Sequence, residues 1–258
     1  MNTITYVNAL KDNYIWLILS EDKSHAIAID PGEAEPVLQY LEQHRIKLGA
    51  ILLTHHHNDH TSGVSALAQV YQPEIFAFSK QTCPITTHEI RSENSIFLHT
   101  HKLKFAILKT PGHTQDAICF FDGRNLFSGD TLFAGGCGRL FEGTAEQMFN
   151  SLSTLAALPD YTNVYCGHEY TLANLQFALS LEPNNAAISK RLVEVQSLRD
   201  QQLPSLPSTI GLEKKINPFL RCNDSDFSQH IAKQLGLDAP NPLELFVALR
   251  HFKDNWSL

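Results

Sequence analysis

Apolar residues in the first half of the chain come in short runs separated by turn-forming residues. ITYVNAL (4–10), YIWLILS (14–20) and HAIAID (25–30) have the length and the branched or aromatic content of strands, and Pro31–Gly32 closes the third. EAEPVLQYLEQHRI (33–46) has helical periodicity, with Pro36 acceptable because it falls near the first turn. GAILLT (49–54) is a continuous apolar run, the pattern of a strand covered on both faces. A helix is expected over SGVSALAQVY (62–71). Strands are expected at EIFAFS (74–79), KFAILKT (104–110), AICFF (117–121), NLFSGD (125–130) and NVYCG (163–167). TAEQMFNSLSTLAAL (144–158) predicts a helix with Thr144 as N-cap and Gln147 completing a capping box.

From about Thr171 the pattern changes. TLANLQFALSL (171–181), NNAAISKRLVEVQSLRDQQ (184–202) and PLELFVALRHFKDNW (242–256) read as helices, joined through a Pro-rich link, LPSLPSTIGLEKKINPF (203–219). The expectation is an α/β domain over 1–170 followed by a smaller helical domain over 171–258. No repeat or low-complexity segment interrupts either.

Composition narrows the function classes. With 258 residues and 43% hydrophobic content the chain has ample material for a core. No apolar stretch approaches the roughly 20 residues of a membrane helix, and MNTITYVNAL has neither a basic leader nor an Arg-rich transit pattern. Five cysteines, odd in number and widely spaced, suit reduced thiols in the cytoplasm better than a disulfide framework or a thiolate metal site. A net charge of -7 without basic runs speaks against nucleic acid as a partner, and an anionic ligand would need local positive charge.

The chemistry concentrates in THHHNDH (54–60), directly after the GAILLT run. In an extended segment residues two apart face the same way, so His55 and His57 can share a metal while His56 points elsewhere. Asp59 and His60 come as the chain turns toward the next helix and can face a second centre. Three further elements also follow predicted strands: TPGHT with His113, SGDTLF with Asp130 and CGHEY with His168. Strand ends are rigid supports for loops that converge on one point. Either G-H-T or G-D-T alone would be an ordinary turn, but the dense run together with three such elements points to two metals. Imidazole and carboxylate ligands suit Zn first, with Fe and Mn as alternatives. His25, His44, His88, His99, His101, His230 and His251 are expected to be surface or packing residues, as are Cys137 and Cys166 to be small packing residues.

THHHNDH, TPGHT, SGDTLF and CGHEY, in this order, resemble the metallo-β-lactamase superfamily. More closely, GCGRLFEGT (136–144), CGHEYTLANLQFAL (166–179), INPFLR (216–221) and LRHFKDNW (249–256) resemble blocks of the glyoxalase II (hydroxyacylglutathione hydrolase) family, so the likeness spans essentially the whole chain. The resemblance implies an αββα sandwich followed by a small α-helical C-terminal domain. It implies one metal on His55, His57 and His113, a second on Asp59, His60 and His168, and Asp130 bridging both. Asp30 matches an early aspartate that is structural and not a ligand. Arg139, Tyr170, Arg250 and Lys253 fall where the family contacts glutathione. Eukaryotic members commonly carry Lys and Tyr where this chain has Arg139 and Phe141; Arg keeps a cationic donor, whereas Phe141 lacks the hydroxyl.

The expected activity is therefore hydrolysis of S-D-lactoylglutathione or a related S-(2-hydroxyacyl)glutathione, the second step of methylglyoxal detoxification. A metal-bound hydroxide would be the nucleophile, with Asp59 and Asp130 as catalytic ligands, in a monomer that binds neither membrane nor nucleic acid. Two competing readings are a mononuclear-iron glutathione-persulfide dioxygenase of the same superfamily and a non-catalytic metal-binding module.

Overall fold

The computed structural model describes residues 2–256. Contacts divide the chain into two units, one of Met1–Lys109, Asp116–Asp130 and Tyr165–His168, the other of Thr110–Gln115, Thr131–Val164 and Glu169–Leu258.

In the first unit, β1 (Thr3–Ala9), β2 (Asn13–Leu19) and β3 (His25–Ile29) form an antiparallel meander. After α1 (Glu35–His44) the chain enters β4 (Lys47–Leu52), and after the short α2 (Asn58–Thr61) and α3 (Val64–Tyr71) it enters β5 (Glu74–Ala77) and then β6 (His88–Glu89). These last strands pair in parallel, giving the sheet order β1-β2-β3-β4-β5-β6. Parallel neighbours require a crossover connection, and it is helical from β3 to β4 and from β4 to β5. Every residue of β2 is buried because both faces are covered. Ile15, Leu17 and Leu19 pack with Val37 and Leu41 of α1 and with Val64 and Leu67 of α3. On the opposite face the Trp16 ring meets Tyr165 with centroids 4.8 Å apart, and its Nε1–H donates to the Cys166 carbonyl at 2.9 Å.

Tyr165 and Cys166 belong to the second sheet. There β7 (Ser95–Leu98), β8 (Leu103–Lys109), β9 (Ile118–Phe121) and β10 (Asn125–Gly129) run antiparallel, followed in sheet order by β13 (Asn163–Cys166), so two sheets face each other in this unit. The α/β expectation for this part of the chain holds. Its strands are those predicted, apart from β6 and β7, which are too short or too polar to stand out by pattern.

The second unit opens its regular structure with a tight hairpin, β11 (Leu132–Phe133) and β12 (Gly136–Cys137). The helix α4 (Ala145–Ala156) follows, and its predicted capping box is present: Thr144 Oγ1 accepts from Gln147 N at 3.1 Å and Gln147 Oε1 accepts from Thr144 N at 2.9 Å. The Asn163–Val164 end of β13 pairs with β14 (Ser208–Thr209). The helices are α5 (Thr171–Leu181), α6 (Ala186–Asp200), α7 (Ile210–Ile216), α8 (Ser225–Leu235) and α9 (Pro242–Asp254). Leu175, Ala178, Ile188, Val195 and Ile216 form the core of α5, α6 and α7, while Phe246 of α9 meets Phe149 of α4 and Phe219.

In the second unit two helices lie outside the expected ones, as the short α2 does in the first. The pattern places α7 inside the Pro-rich link, and α8 where no element is predicted. For α8 the signals are present in retrospect: Asp224 caps the amides of Asp226 and Phe227, Phe227 and Ile231 are buried four apart, and Gly236 closes the helix at φ +69°. Among the described residues no helix is long and apolar enough to cross a membrane.

Candidate metal centre and cation cluster

Parallel pairing of β4 with β3 and β5 places Leu52 between Ile29 and Phe76, so the segment after it leaves the middle of the sheet. His55 is buried, His57 is the N-cap of α2, and Asp59 and His60 lie within that helix. Asp130 follows the end of β10 and His168 follows β13. The first unit therefore gathers six of the seven predicted ligand residues.

Four of them share one point. His60 Nε2 and His168 Nε2 are 3.3 Å apart. Asp59 Oδ2 lies 3.4 Å from the first and 3.3 Å from the second. Asp130 reaches His60 Nε2 with Oδ1 at 3.4 Å and His168 Nε2 with Oδ2 at 3.3 Å. The far nitrogen of each ring is held by another carboxylate: His60 Nδ1 by Asp30 at 3.0 Å and His168 Nδ1 by Asp12 at 2.8 Å. With Nδ1 donating to a carboxylate, the neutral imidazole turns its Nε2 lone pair inward, which is how proteins orient metal-binding histidines. Asn13 donates from Nδ2 to Asp59 Oδ2 at 3.1 Å and to the Asp59 carbonyl at 3.2 Å, fixing that carboxylate.

The electrostatics ask for a cation at the same point. Burial opposes charge on His168, but hydrogen bonds with Asp130 and Asp59 push its pKa up to about 10. Fully buried His60 is raised against the same penalty by Asp130 and Asp30. Asp59 is held far below the usual carboxylate range by its bonds with His168 and His60, and Asp130 is lowered despite burial, chiefly by the charge of His60. A divalent ion answers the convergent lone pairs and carboxylates together, and it competes with protons for the imidazoles.

His55 and His57 form a second pair, with Nε2 of one 3.1 Å from Nδ1 of the other. Thr54 Oγ1 donates its only proton to Asp30 at 2.7 Å, so His55 Nδ1–H donates to that hydroxyl at 3.0 Å and Nε2 carries the lone pair. Asp30, His55 and His60 also lie close enough to share an ion. Asp30 is a poor ligand nonetheless, since Thr54 N, Thr54 Oγ1 and His60 Nδ1 already donate to its two oxygens. Two glycines keep the pocket open: a Cβ on Gly167 would meet Asp130 Oδ1 at 2.6 Å and His60 Cε1 at 2.8 Å, and one on Gly129 would meet Thr54 Oγ1 at 2.3 Å.

His56 points elsewhere, as the alternation requires, and pairs with Asp116 at 2.9 Å. Asp12, in the polar turn after β1, and Asn13, the first residue of β2, are not predicted from the sequence, because nothing in the local pattern marks them as partners of His168 and Asp59.

The second unit holds the seventh predicted ligand and all the predicted glutathione contacts. His113 Nδ1–H donates to the Arg139 carbonyl at 2.9 Å, again leaving Nε2 as the acceptor nitrogen, and its ring packs against exposed Phe141. Arg250 is buried, with Nη1 donating to the Cys137 carbonyl at 3.1 Å and Nη2 to Asp254 at 2.8 Å. Arg139 is largely exposed and lies 3.7 Å from the same Asp254 oxygen. Lys253 Nζ stands over the rings of Phe177 and Trp256, at 4.7 and 4.6 Å. Burial and the adjacent Arg250 and Arg139 lower its pKa from 10.5 to about 8. Tyr170 packs its half-exposed ring against Phe133 at the start of α5.

All five cysteines are free and buried, in keeping with packing roles. Burial raises the thiol pKa of Cys137 and takes that of Cys222 to about 12, the opposite of a poised nucleophile.

Comparisons with known proteins identify the fold and the family. The metallo-beta-lactamase superfamily model matches residues 11–168, and the model for the hydroxyacylglutathione hydrolase C-terminus matches residues 169–256. Hydroxyacylglutathione hydrolase from Psychromonas ingrahamii is 45% identical over 256 residues, covering 99% of this chain and 100% of that protein. Its counterpart from Nitrosomonas europaea is 42% identical, covering 97% of this chain and 95% of that protein. Among solved structures, ETHE1 from Myxococcus xanthus has a TM-score of 0.65 at 27% identity and covers 96% of each chain. The BLEG-1 B3 metallo-beta-lactamase, at 24% identity and a TM-score of 0.64, covers 84% of this chain and 99% of its own and shares the fold. The fold is thus the metallo-β-lactamase fold with an added helical C-terminal part, its His/Asp groups bind divalent metal, and the chain belongs to the hydroxyacylglutathione hydrolase family.

Proposed function

We propose that the chain hydrolyses the thioester of an S-(2-hydroxyacyl)glutathione, S-D-lactoylglutathione foremost, to glutathione and a 2-hydroxy acid, the second step of methylglyoxal detoxification. The observation that carries this reading is that its relatives match over the full chain, the helical C-terminal part included, and not over the metal-binding part alone. That favours it over a mononuclear-iron persulfide dioxygenase or a non-catalytic metal module.

In this reading residues 1–170 form the catalytic domain and 171–258 the domain that binds glutathione. His55, His57 and His113 would hold one metal, Asp59, His60 and His168 the other, and Asp130 would serve both, with Zn preferred over Fe or Mn. Two such ions would lower the pKa of a shared water toward about 7 and neutralise the charge that builds on the thioester carbonyl oxygen. The protein's own part is orientation. Asp30, Asp12, the Thr54 hydroxyl and the Arg139 carbonyl each hold an imidazole by Nδ1, and Asn13 holds Asp59. Glutathione leaves as a thiolate, whose parent thiol has a pKa of about 8.5, so no side chain has to protonate it. Lys253 and Arg139 supply the accessible positive charge for the peptide carboxylates, with Tyr170 beside them; buried Arg250 contributes mainly by ordering this group. The protein acts as a monomer in the cytoplasm.

Purified protein assayed for metal content and for thiol release from S-D-lactoylglutathione tests the reading. Two metals per chain and thiol release are expected. In Asp130→Ala both should fall, activity by a hundredfold or more, on the order expected when a charge-stabilising element is lost. A near wild-type rate with one metal per chain would overturn the dinuclear assignment.

A further inference from the structure

The helical part of the chain contains a fully buried carboxylate that the proposed reaction does not use. Glu213, in α7, has no exposed surface. Its Oε2 accepts from the Gly135 amide at 2.7 Å and from Asn217 Nδ2 at 3.0 Å, and its Oε1 accepts from the Ser208 hydroxyl. Gly135 is the second residue of the two-residue turn between β11 and β12, and it adopts φ +69°. Asn217, also fully buried, donates to the carbonyls of Phe133 at 3.2 Å and Gly136 at 2.9 Å. Asn174 of α5 donates to the Ala134 carbonyl at 3.1 Å. Three side chains, Asn174 of α5, Glu213 of α7 and Asn217 just past its end, therefore hold backbone groups of all four residues from Phe133 to Gly136. The fit is close, since a Cβ on Gly136 would lie 2.6 Å from Asn174 Nδ2.

The next residue is Cys137, whose carbonyl receives Arg250 Nη1, and two positions on is Arg139. We propose that Glu213 is a positioning residue for recognition of the peptide part of the substrate. It locks the hairpin so that the Cys137 carbonyl fixes the Arg250 guanidinium and Arg139 leaves the strand in one direction. This rests on the assignment of Arg139 and Arg250 to glutathione binding. A bare packing role would need no acceptor aimed at a turn amide, and a buried carboxylate is costly unless its bonds are all made.

Glu213→Leu keeps the volume and removes the acceptors, whereas Glu213→Gln keeps an acceptor for Gly135 and can still bond Ser208. In Glu213→Leu, KM for S-D-lactoylglutathione should rise at least about tenfold, as expected when buried donors lose their partner. The kcat, the metal content and the rate on a small thioester without the peptide should each stay within about twofold. Glu213→Gln should restore KM. Hydrogen exchange of the Leu132–Arg139 segment should quicken in Glu213→Leu and not in Glu213→Gln. Equal losses on both thioesters, or unchanged exchange, would overturn the proposal. Should Glu213→Leu fail to fold, Asn174→Ala removes one bond to the same turn and must show the same split in milder form. If the wild-type protein has no preference for the glutathione thioester, the functional reading fails, and the exchange comparison alone decides whether Glu213 locks the hairpin.

Discussion

The pocket around His60 and His168 and the group around Lys253 are held in place by different means. In the pocket each imidazole is clamped from behind, His60 by Asp30 and His168 by Asp12, and Asp59 is held by Asn13. Those bonds run from 2.8 to 3.1 Å, are buried or partly buried, and are directional. In the cation group one half-exposed carboxylate, Asp254, serves both Arg250 and Arg139, and Lys253 rests on aromatic faces. A metal needs lone pairs aimed within a few tenths of an ångström, so its ligands are clamped. A flexible peptide carboxylate, the ligand proposed for the cation group, would need only nearby positive charge, and Arg139 is largely exposed.

The comparison breaks most visibly at Asp30. Asp30→Asn keeps the shape but weakens the hold on His60, and metal affinity measured by chelator competition should fall about 10- to 100-fold. KM for the glutathione thioester in metal-saturated protein should change little. A fall in substrate affinity with metal affinity intact would show that the two regions are not separately built.

Lys253 sharpens the other side. Its pKa of about 8 in the folded chain, against an ordinary 10.5, means that the unfolded chain binds more protons between these values, so stability rises with pH across that window. Anion binding carries the opposite sign, because the ammonium is lost as pH climbs through about 8. KM for S-D-lactoylglutathione should therefore rise above pH 8 and that for a small uncharged thioester should not. Lys253→Met should show the raised KM at every pH and a flat profile. A wild-type profile in that variant would remove Lys253 from substrate binding.

The smallest expected effect is at Phe141, which is 63% exposed beside His113. Phe141→Tyr restores the hydroxyl that eukaryotic members commonly carry, and a hydrogen bond of ordinary net strength would lower KM about two- to tenfold. Titration of metal into the same variant should match wild type. A changed metal affinity with unchanged KM would tie this ring to His113 and not to the peptide.

Sequence by itself determined the strand-rich first part, the capped α4, the change to helices near Thr171 and the placement of the candidate ligand residues just after strands. These follow from short-range rules: alternation, periodicity, capping and turn chemistry act over a few residues. The pair spacing of His55 and His57, with His56 turned away to Asp116, is of the same kind. Only the tertiary structure decided what stands behind each ligand. Asp12 and His168 are 156 positions apart, and Asp30 and His60 thirty, so no local pattern connects them. It also decided that Arg250 turns inward to Cys137, that Lys253 lies on Phe177 and Trp256, and that Glu213 meets Gly135. Such contacts depend on which helix face is buried against which strand, and that is settled by the packing of the whole core.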